Sequence, residues 1–153
     1  MSVKVVREYL KQYGLEDHIL TFDVSSATVE LAAQAVGCEP ARIAKSLTFK
    51  VDGNAVMIVA AGDARIDNSE FKAQFHTKAT MLKPEEVTEL TGFQIGGVCP
   101  FGAKDGVKIY LDDSMKRFDT VYPAAGDAAS AVKLTLPELE KASRALGWIH
   151  VTK

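Results

Sequence analysis

Cysteine is scarce in this sequence: Cys38 and Cys99 are its only two. They lie far apart, with no C-x-x-C pair, which excludes a disulfide-built scaffold and a cysteine zinc site and fits thiols kept reduced. Long apolar runs are missing too. No stretch has enough consecutive apolar residues to span a bilayer, and the opening MSVKVVREYLKQYG is charged and periodic where a secretory signal would be uninterruptedly apolar. A soluble, cytoplasmic protein with no membrane partner is expected. Nor is there an excess of positive charge: the formal net charge is −2, which argues against broad coating of nucleic acid through phosphate contacts. No DNA partner is expected, although a small local contact with RNA is compatible. His18, His76 and His150 show neither H-E-x-x-H nor another ligand spacing, so no metal is expected.

What is there suits one globular core, since 153 residues at 47% hydrophobic can bury most of their apolar surface. Residues 1–153 are read as a single domain, with no repeat, low-complexity tract or dividing linker. Val3, Val6, Leu10 and Tyr13 recur at helical spacing before Gly14. Ser25 and Ser26 are placed to cap a second helix that ends at Gly37, and Pro40 opens a further turn. KSLTFKVDGNAVMIVAA reads as a hairpin across Asp52-Gly53-Asn54. Helices are expected from Asp67 to Phe75, from Pro84 to Gly92 and from Pro137 to Leu146. Strands are expected around Val107 to Leu111, Thr120 to Tyr122 and Val132 to Leu136. Hairpins and short strands between helices point to an α/β or α+β fold with a mixed sheet.

Two features invite chemistry. Alternation puts Leu47, Phe49 and Val51 on one face of the first hairpin strand, and Lys45 shares their parity. An ammonium on an apolar face either snorkels to water or has a partner or a function. The second feature is GGVCPFG, residues 96–102. Neither G-x-G-x-x-G nor G-x-x-x-x-G-K-[ST] can be written through it, so a nucleotide loop is excluded. Cys99 is either a small buried hydrophobe or a nucleophile that needs a base brought by the fold. The glycines either form a tight turn or present bare backbone, with N–H groups at Gly97 and Gly102 able to orient a carbonyl. Asp112-Asp113 reads as a strand-end turn or helix cap, and Gly62-Asp63 and Gly126-Asp127 read as turns.

Taken in order, SSATVELAAQAVG, ARIAKSLTFKVDG, AAGDARID, LTGFQIGGVCPFG and YPAAGDAASAVKLTLPEL resemble the YbaK/ProX family of aminoacyl-tRNA deacylases, related to the editing domain inserted in bacterial prolyl-tRNA synthetases. The resemblance runs from about residue 18 to residue 146. It implies a mixed, barrel-like sheet surrounded by helices, no cofactor, and hydrolysis of a wrongly attached amino acid from the 3′ end of a tRNA, tRNA-Pro being the expected carrier. The attacking group would be water or a hydroxyl of the substrate. The family's lysine falls on Lys45, and its glycine loop on Gly96, Gly97, Pro100, Phe101 and Gly102, with Lys45 and Gly97 in the catalytic roles. Phe22, Val29 and Ser46 fall where relatives line a pocket for a small side chain, and Gly62, Gly126 and Asp127 complete the expected substrate-binding set. Some relatives carry a histidine or an aspartate where this chain has Gly126, Asp127 and Ala131. The aminoacylated acceptor end is the implied partner, delivered by prolyl-tRNA synthetase or an elongation factor. A non-catalytic module that binds an aminoacylated RNA end is the competing reading.

Overall fold

The computed structural model describes residues 3–153. The first two residues of the expected single unit lie outside that range. The helices are α1 (Val3–Lys11), α2 (Val29–Val36), α3 (Asn68–Phe75), α4 (Pro84–Thr91) and α5 (Leu136–Ser143). The strands are β1 (Ile19–Thr21), β2 (Ile43–Val51), β3 (Asn54–Ala61), β4 (Lys108–Asp112), β5 (Thr120–Pro123), β6 (Ser130–Val132), β7 (Leu134–Thr135) and β8 (Trp148–Ile149). Six strands form one curled half-barrel sheet in the order β7-β5-β2-β3-β4-β8, and β1 pairs with β6 as a separate ribbon. The sheet is mixed: β2 runs antiparallel to β3 and parallel to β5, while β3 runs parallel to β4.

The hairpin is the centre of the sheet because its turn and its alternation agree. Asp52 and Gly53 both take positive φ, 51° and 80°. That two-residue turn matches the twist of the flanking strands and sets Val51 opposite Asn54 and Lys45 opposite Ala60. On one face Phe49, Val56 and Ile58 pack with Phe71 of α3, and Leu47 and Val51 lie against them. The Phe49 and Phe71 rings stand 4.9 Å apart. On the other face Ala44, Val59 and Ala61 join the larger core with Val6, Leu10, Phe93, Phe101 and Leu139.

Several boundaries differ from expectation for identifiable reasons. Thr28, not Ser25 or Ser26, caps α2, its hydroxyl accepting from the Leu31 N–H at 3.2 Å. Ser26 is engaged elsewhere: its hydroxyl accepts from the Ser130 N–H and donates to the Ser130 carbonyl. Leu136, expected in a strand, opens α5, because Thr135 and Glu138 form a capping box that starts the helix one residue before Pro137. That helix ends at Ser143, before Leu146, and the chain then adds the short strand β8 beside β4.

Asp112 is buried and does cap a turn, accepting from the Ser114 N–H at 2.9 Å. It also accepts from the Val151 N–H at 2.9 Å and the Thr152 hydroxyl at 2.7 Å, so one carboxylate ties the C-terminal segment to the end of β4. Asp112→Ala leaves these buried donors without an acceptor, and charge-assisted bonds of this kind contribute about 1.5–3 kcal/mol each. We expect a loss of about 3 kcal/mol or more in urea unfolding, with amide exchange accelerated at residues 148–152. Unchanged protection there would show that the C-terminal segment is held by other contacts.

Candidate functional site

A cavity of about 270 Å³ opens between α2, the start of β2, the segment before α4, the glycine turn and the β5–β6 connection. Its wall includes Val29 and Ala32 from α2; Ala44, Lys45, Ser46 and Thr48 from β2; and Met81, Leu82 and Val87. Ile95, Gly96, Val98, Tyr122, Ala124, Ser130 and Ala131 close it. Four of the expected site residues therefore line one cavity: Lys45, Val29, Ser46 and Gly96.

Lys45 sits where strand parity places it, half-buried at the cavity edge. Its ammonium donates to the Gly62 carbonyl at 3.3 Å and to the Ala64 carbonyl, both in the loop that leaves β3. Burial pushes its pKa below the usual lysine value, while the nearby Asp63 carboxylate pushes the other way. Asp63 is itself held by Arg117 through two hydrogen bonds, of 3.0 and 2.5 Å. An ammonium has three donors, so with two spent on carbonyls one remains for a ligand.

The remaining expected residues do not line the cavity. Gly62 gives Lys45 its carbonyl, and a Cβ there would collide with the Pro40 carbonyl oxygen and lie 2.8 Å from Val29 Cγ1. Gly96 turns at φ 95°, a conformation that disfavours any other residue. Gly97 packs flush on the backbone of Gly126 and Asp127, where a Cβ would lie 2.6–2.7 Å from main-chain atoms. Its N–H, expected to face a substrate carbonyl, donates here to the Gln94 carbonyl at 3.0 Å. What Gly97 supplies to this arrangement is the absence of a side chain. Asp127 is exposed, and its carboxylate accepts from the Ala129 N–H at 2.8 Å, a local turn. Phe22 is half-buried at the end of β1 and donates its N–H to the Ala129 carbonyl at 2.9 Å. Pro100 and Phe101 are buried, Phe101 with its ring 6.5 Å from that of Tyr9, and Gly102 lies against the same tyrosine.

Sequence reasoning did not single out Thr48, Tyr122, Ala124, Ser26 or Ser130 as cavity residues. Thr48 shares the parity of Ser46, opposite to that of Lys45, so the alternation that singled out Lys45 did not point to it; the others arrive through long-range pairing. Cys99 is fully buried, its thiol pushed up to about 12 by burial. That leaves it protonated near neutral pH, as a packing residue and not a nucleophile. Among the described residues, Asp112, Asp113 and His150 bring three ligand atoms within 4.8 Å of one another. They do not line the cavity, Asp112 already accepts the three bonds given above, and His150 Nδ1 pairs with Asp113 at 2.8 Å.

Lys45 and the backbone of Gly96 thus share one cavity, whose lining mixes apolar and polar side chains. Residues 23–142 match the aminoacyl-tRNA editing domain, and the chain belongs to that family of hydrolases acting on aminoacyl-tRNA. It is 51% identical to the protein YwhH of Bacillus subtilis (strain 168), over 100% of this chain and 98% of that one. It is 29% identical to the multifunctional Ser/Thr-tRNA deacylase ProXp-y of Escherichia coli (strain K12), over 85% of this chain and 86% of that protein. The proline–tRNA ligase of Kosmotoga olearia is 36% identical across 58% of this chain, which spans only 16% of the ligase. A crystal structure of a proposed trans-editing enzyme for prolyl tRNA synthetase superposes with a TM-score of 0.88 at 30% identity, covering 99% of this chain and 96% of that one. Among the described residues no helix is long and apolar enough to cross a membrane.

Two outcomes test this arrangement. In native protein at pH 8, a disulfide reagent such as DTNB should leave Cys99 unmodified until denaturant is added; rapid modification of Cys99 in the folded state would contradict its burial. Gly97→Ala should force the glycine turn away from residues 126–127. The expected cost is about 1–3 kcal/mol in thermal or urea unfolding, the range for overpacking a tight contact. Wild-type stability would show that the two backbones are not in contact.

Proposed function

We propose that the chain is a stand-alone trans-editing hydrolase that removes a small, wrongly attached amino acid from the 3′ end of a tRNA, with tRNA-Pro the expected carrier. The observation that carries this reading is the cavity of about 270 Å³ with Lys45 at its edge, in a chain of the editing family. A cavity of that size holds an amino-acid side chain together with its carbonyl and amine, and it lies just below the range of about 300 to 1,000 Å³ for drug-sized ligands. Lys45 orients the substrate's polar end through its remaining donor, in a place where burial strengthens a charge-assisted bond. Gly96 lets the ester approach bare backbone. Gly62, Gly97, Pro100, Phe101, Gly102, Gly126, Asp127 and Phe22 hold the wall in place, with residues 1–153 acting as one editing unit.

The substrate needs little from the protein by way of a nucleophile, because an aminoacyl ester is already activated. Water adds to the carbonyl, the bond to the ribose oxygen breaks, and that oxygen leaves with a proton, giving free amino acid and tRNA. Positioning and stabilisation of the developing negative charge lower the barrier. Delivery of the tRNA by prolyl-tRNA synthetase or an elongation factor, in the cytoplasm, belongs to the same proposal.

The test is release of amino acid from a panel of mischarged tRNAs. Wild-type protein should deacylate at least one small-side-chain ester, and Lys45→Ala should lower kcat/KM by about 100-fold or more, as loss of a charged contact to the transition state does. Unfolding of Lys45→Ala should stay cooperative, since the change removes a charge that burial disfavours. Near wild-type turnover by folded Lys45→Ala protein would overturn the role of the lysine, and binding without any turnover would make the chain a non-catalytic module.

A further inference from the structure

Two large apolar side chains of the cavity lining face water. Met81 is 57% exposed and Ile95 62%, whereas Ile43, Leu82 and Val87 in the same lining are buried. The pair brackets α4, Met81 before it and Ile95 after it. Neither is left there by a loose backbone. The Lys50 N–H donates to the Thr80 carbonyl at 2.8 Å and the Leu82 N–H to the Thr48 carbonyl at 3.1 Å, so the backbone around Met81 is held along β2. Ile95 takes the first central position of the turn that the bond from Gly97 to Gln94 closes, with Gly96 at φ 95° in the second. That position accepts almost any residue, proline foremost, so nothing in the turn itself calls for isoleucine. The other exposed lining residues, Ala27 and Thr28, are small.

We infer that Met81 and Ile95 seat the terminal base of the RNA, gripping its apolar face by contact, while the aminoacyl group occupies the cavity. This inference rests on the proposed deacylase activity and adds to it the part of the RNA that this flank of the cavity holds. With the amino acid inside and Lys45 at the cavity edge, the ribose emerges at the mouth. The base is then the one broad apolar surface that a nucleotide brings there. Every base has such a face, so a thioether and an aliphatic side chain grip it without reading its hydrogen-bonding edge. Among the described residues the one charge in the lining is the Lys45 cation, which suits the polyanionic end of an RNA. A contact of this kind is equal in the ground and transition states, so it acts on KM and leaves kcat.

The experiment takes the small amino acid released fastest from the tRNA panel and compares two of its esters, one on adenosine and one on anhydroribitol, the same sugar ring without a base. For the wild-type protein, kcat/KM for the adenosine ester should be higher by about tenfold, which corresponds to covering about 55 Å² of apolar surface, and the difference should lie in KM. Met81→Ser and Ile95→Ser should each lower that ratio by about threefold. The double serine variant should bring it near one, and Met81→Leu combined with Ile95→Val should keep it. The ratio is the readout because a general disturbance of the cavity acts on both esters alike, and the wild-type comparison stands even if a variant is unstable. A wild-type ratio near one would overturn the inference while leaving the deacylase reading intact. A ratio kept in the folded double serine variant would do the same, and is the result expected if the rim meets a protein instead. Cleavage of aminoacyl-tRNA with neither small ester cleaved also overturns it, since the RNA is then held from further along its chain. No turnover on any tRNA of the panel removes the deacylase reading and this inference with it.

Discussion

The site depends on holding one ammonium at the edge of an apolar sheet. Lys45 is half-buried in the register that pairs it with Ala60, and that register is locked by the two-residue turn at Asp52-Gly53. Partial burial disfavours its charge unless acceptors are supplied. The loop leaving β3 resolves the conflict by turning the Gly62 and Ala64 carbonyls onto it. Gly62 must be glycine for that loop to lie so close to Pro40 and Val29. The same constraint thus fixes a charge, a loop and one side of the cavity.

The opposite side is built by backbone meeting backbone. Gly97 lies flush on Gly126 and Asp127, and, a few residues on, Ser130–Val132 pair with β1 while Ser130 bonds to Ser26. The β5–β6 connection adds the small side chains of Ala124, Ser130 and Ala131 to the lining, beside Tyr122. Ala131 contributes no more than a methyl group to that part of the wall. The outcome is a compartment of about 270 Å³ with its charged residue at the edge.

How much of this was legible in the sequence follows from the range of the interactions. The hairpin was readable because turn chemistry and alternation are local, and the parity of Lys45 followed from them. The start of α5 was also local, since Thr135 and Glu138 are three apart, but the alternating Val132, Leu134 and Leu136 spoke for a strand and masked the cap. The cap of α2 was not readable: Ser26 looks like an N-cap until Ser130 claims it from 104 residues away. The pairing of β1 with β6 is non-local in the same way, and with it the cavity membership of Ser26 and Ser130. The role of Gly97 was half legible, as a position that tolerates no side chain, while the use of its N–H in a turn depended on Gln94 geometry that glycine content does not encode.

The central claim is that the aminoacyl end is held in the cavity beside Lys45. It is tested most directly by nuclear magnetic resonance mapping with a non-hydrolysable amide analogue of aminoacyl-adenosine. The account predicts shifts concentrated at the Lys45 side chain and at Ser46 and Gly96, with the C-terminal segment at 148–152 unmoved. Saturable binding that instead shifts His18, Lys133 and Glu138, which line a separate groove, and leaves Lys45 untouched would contradict it.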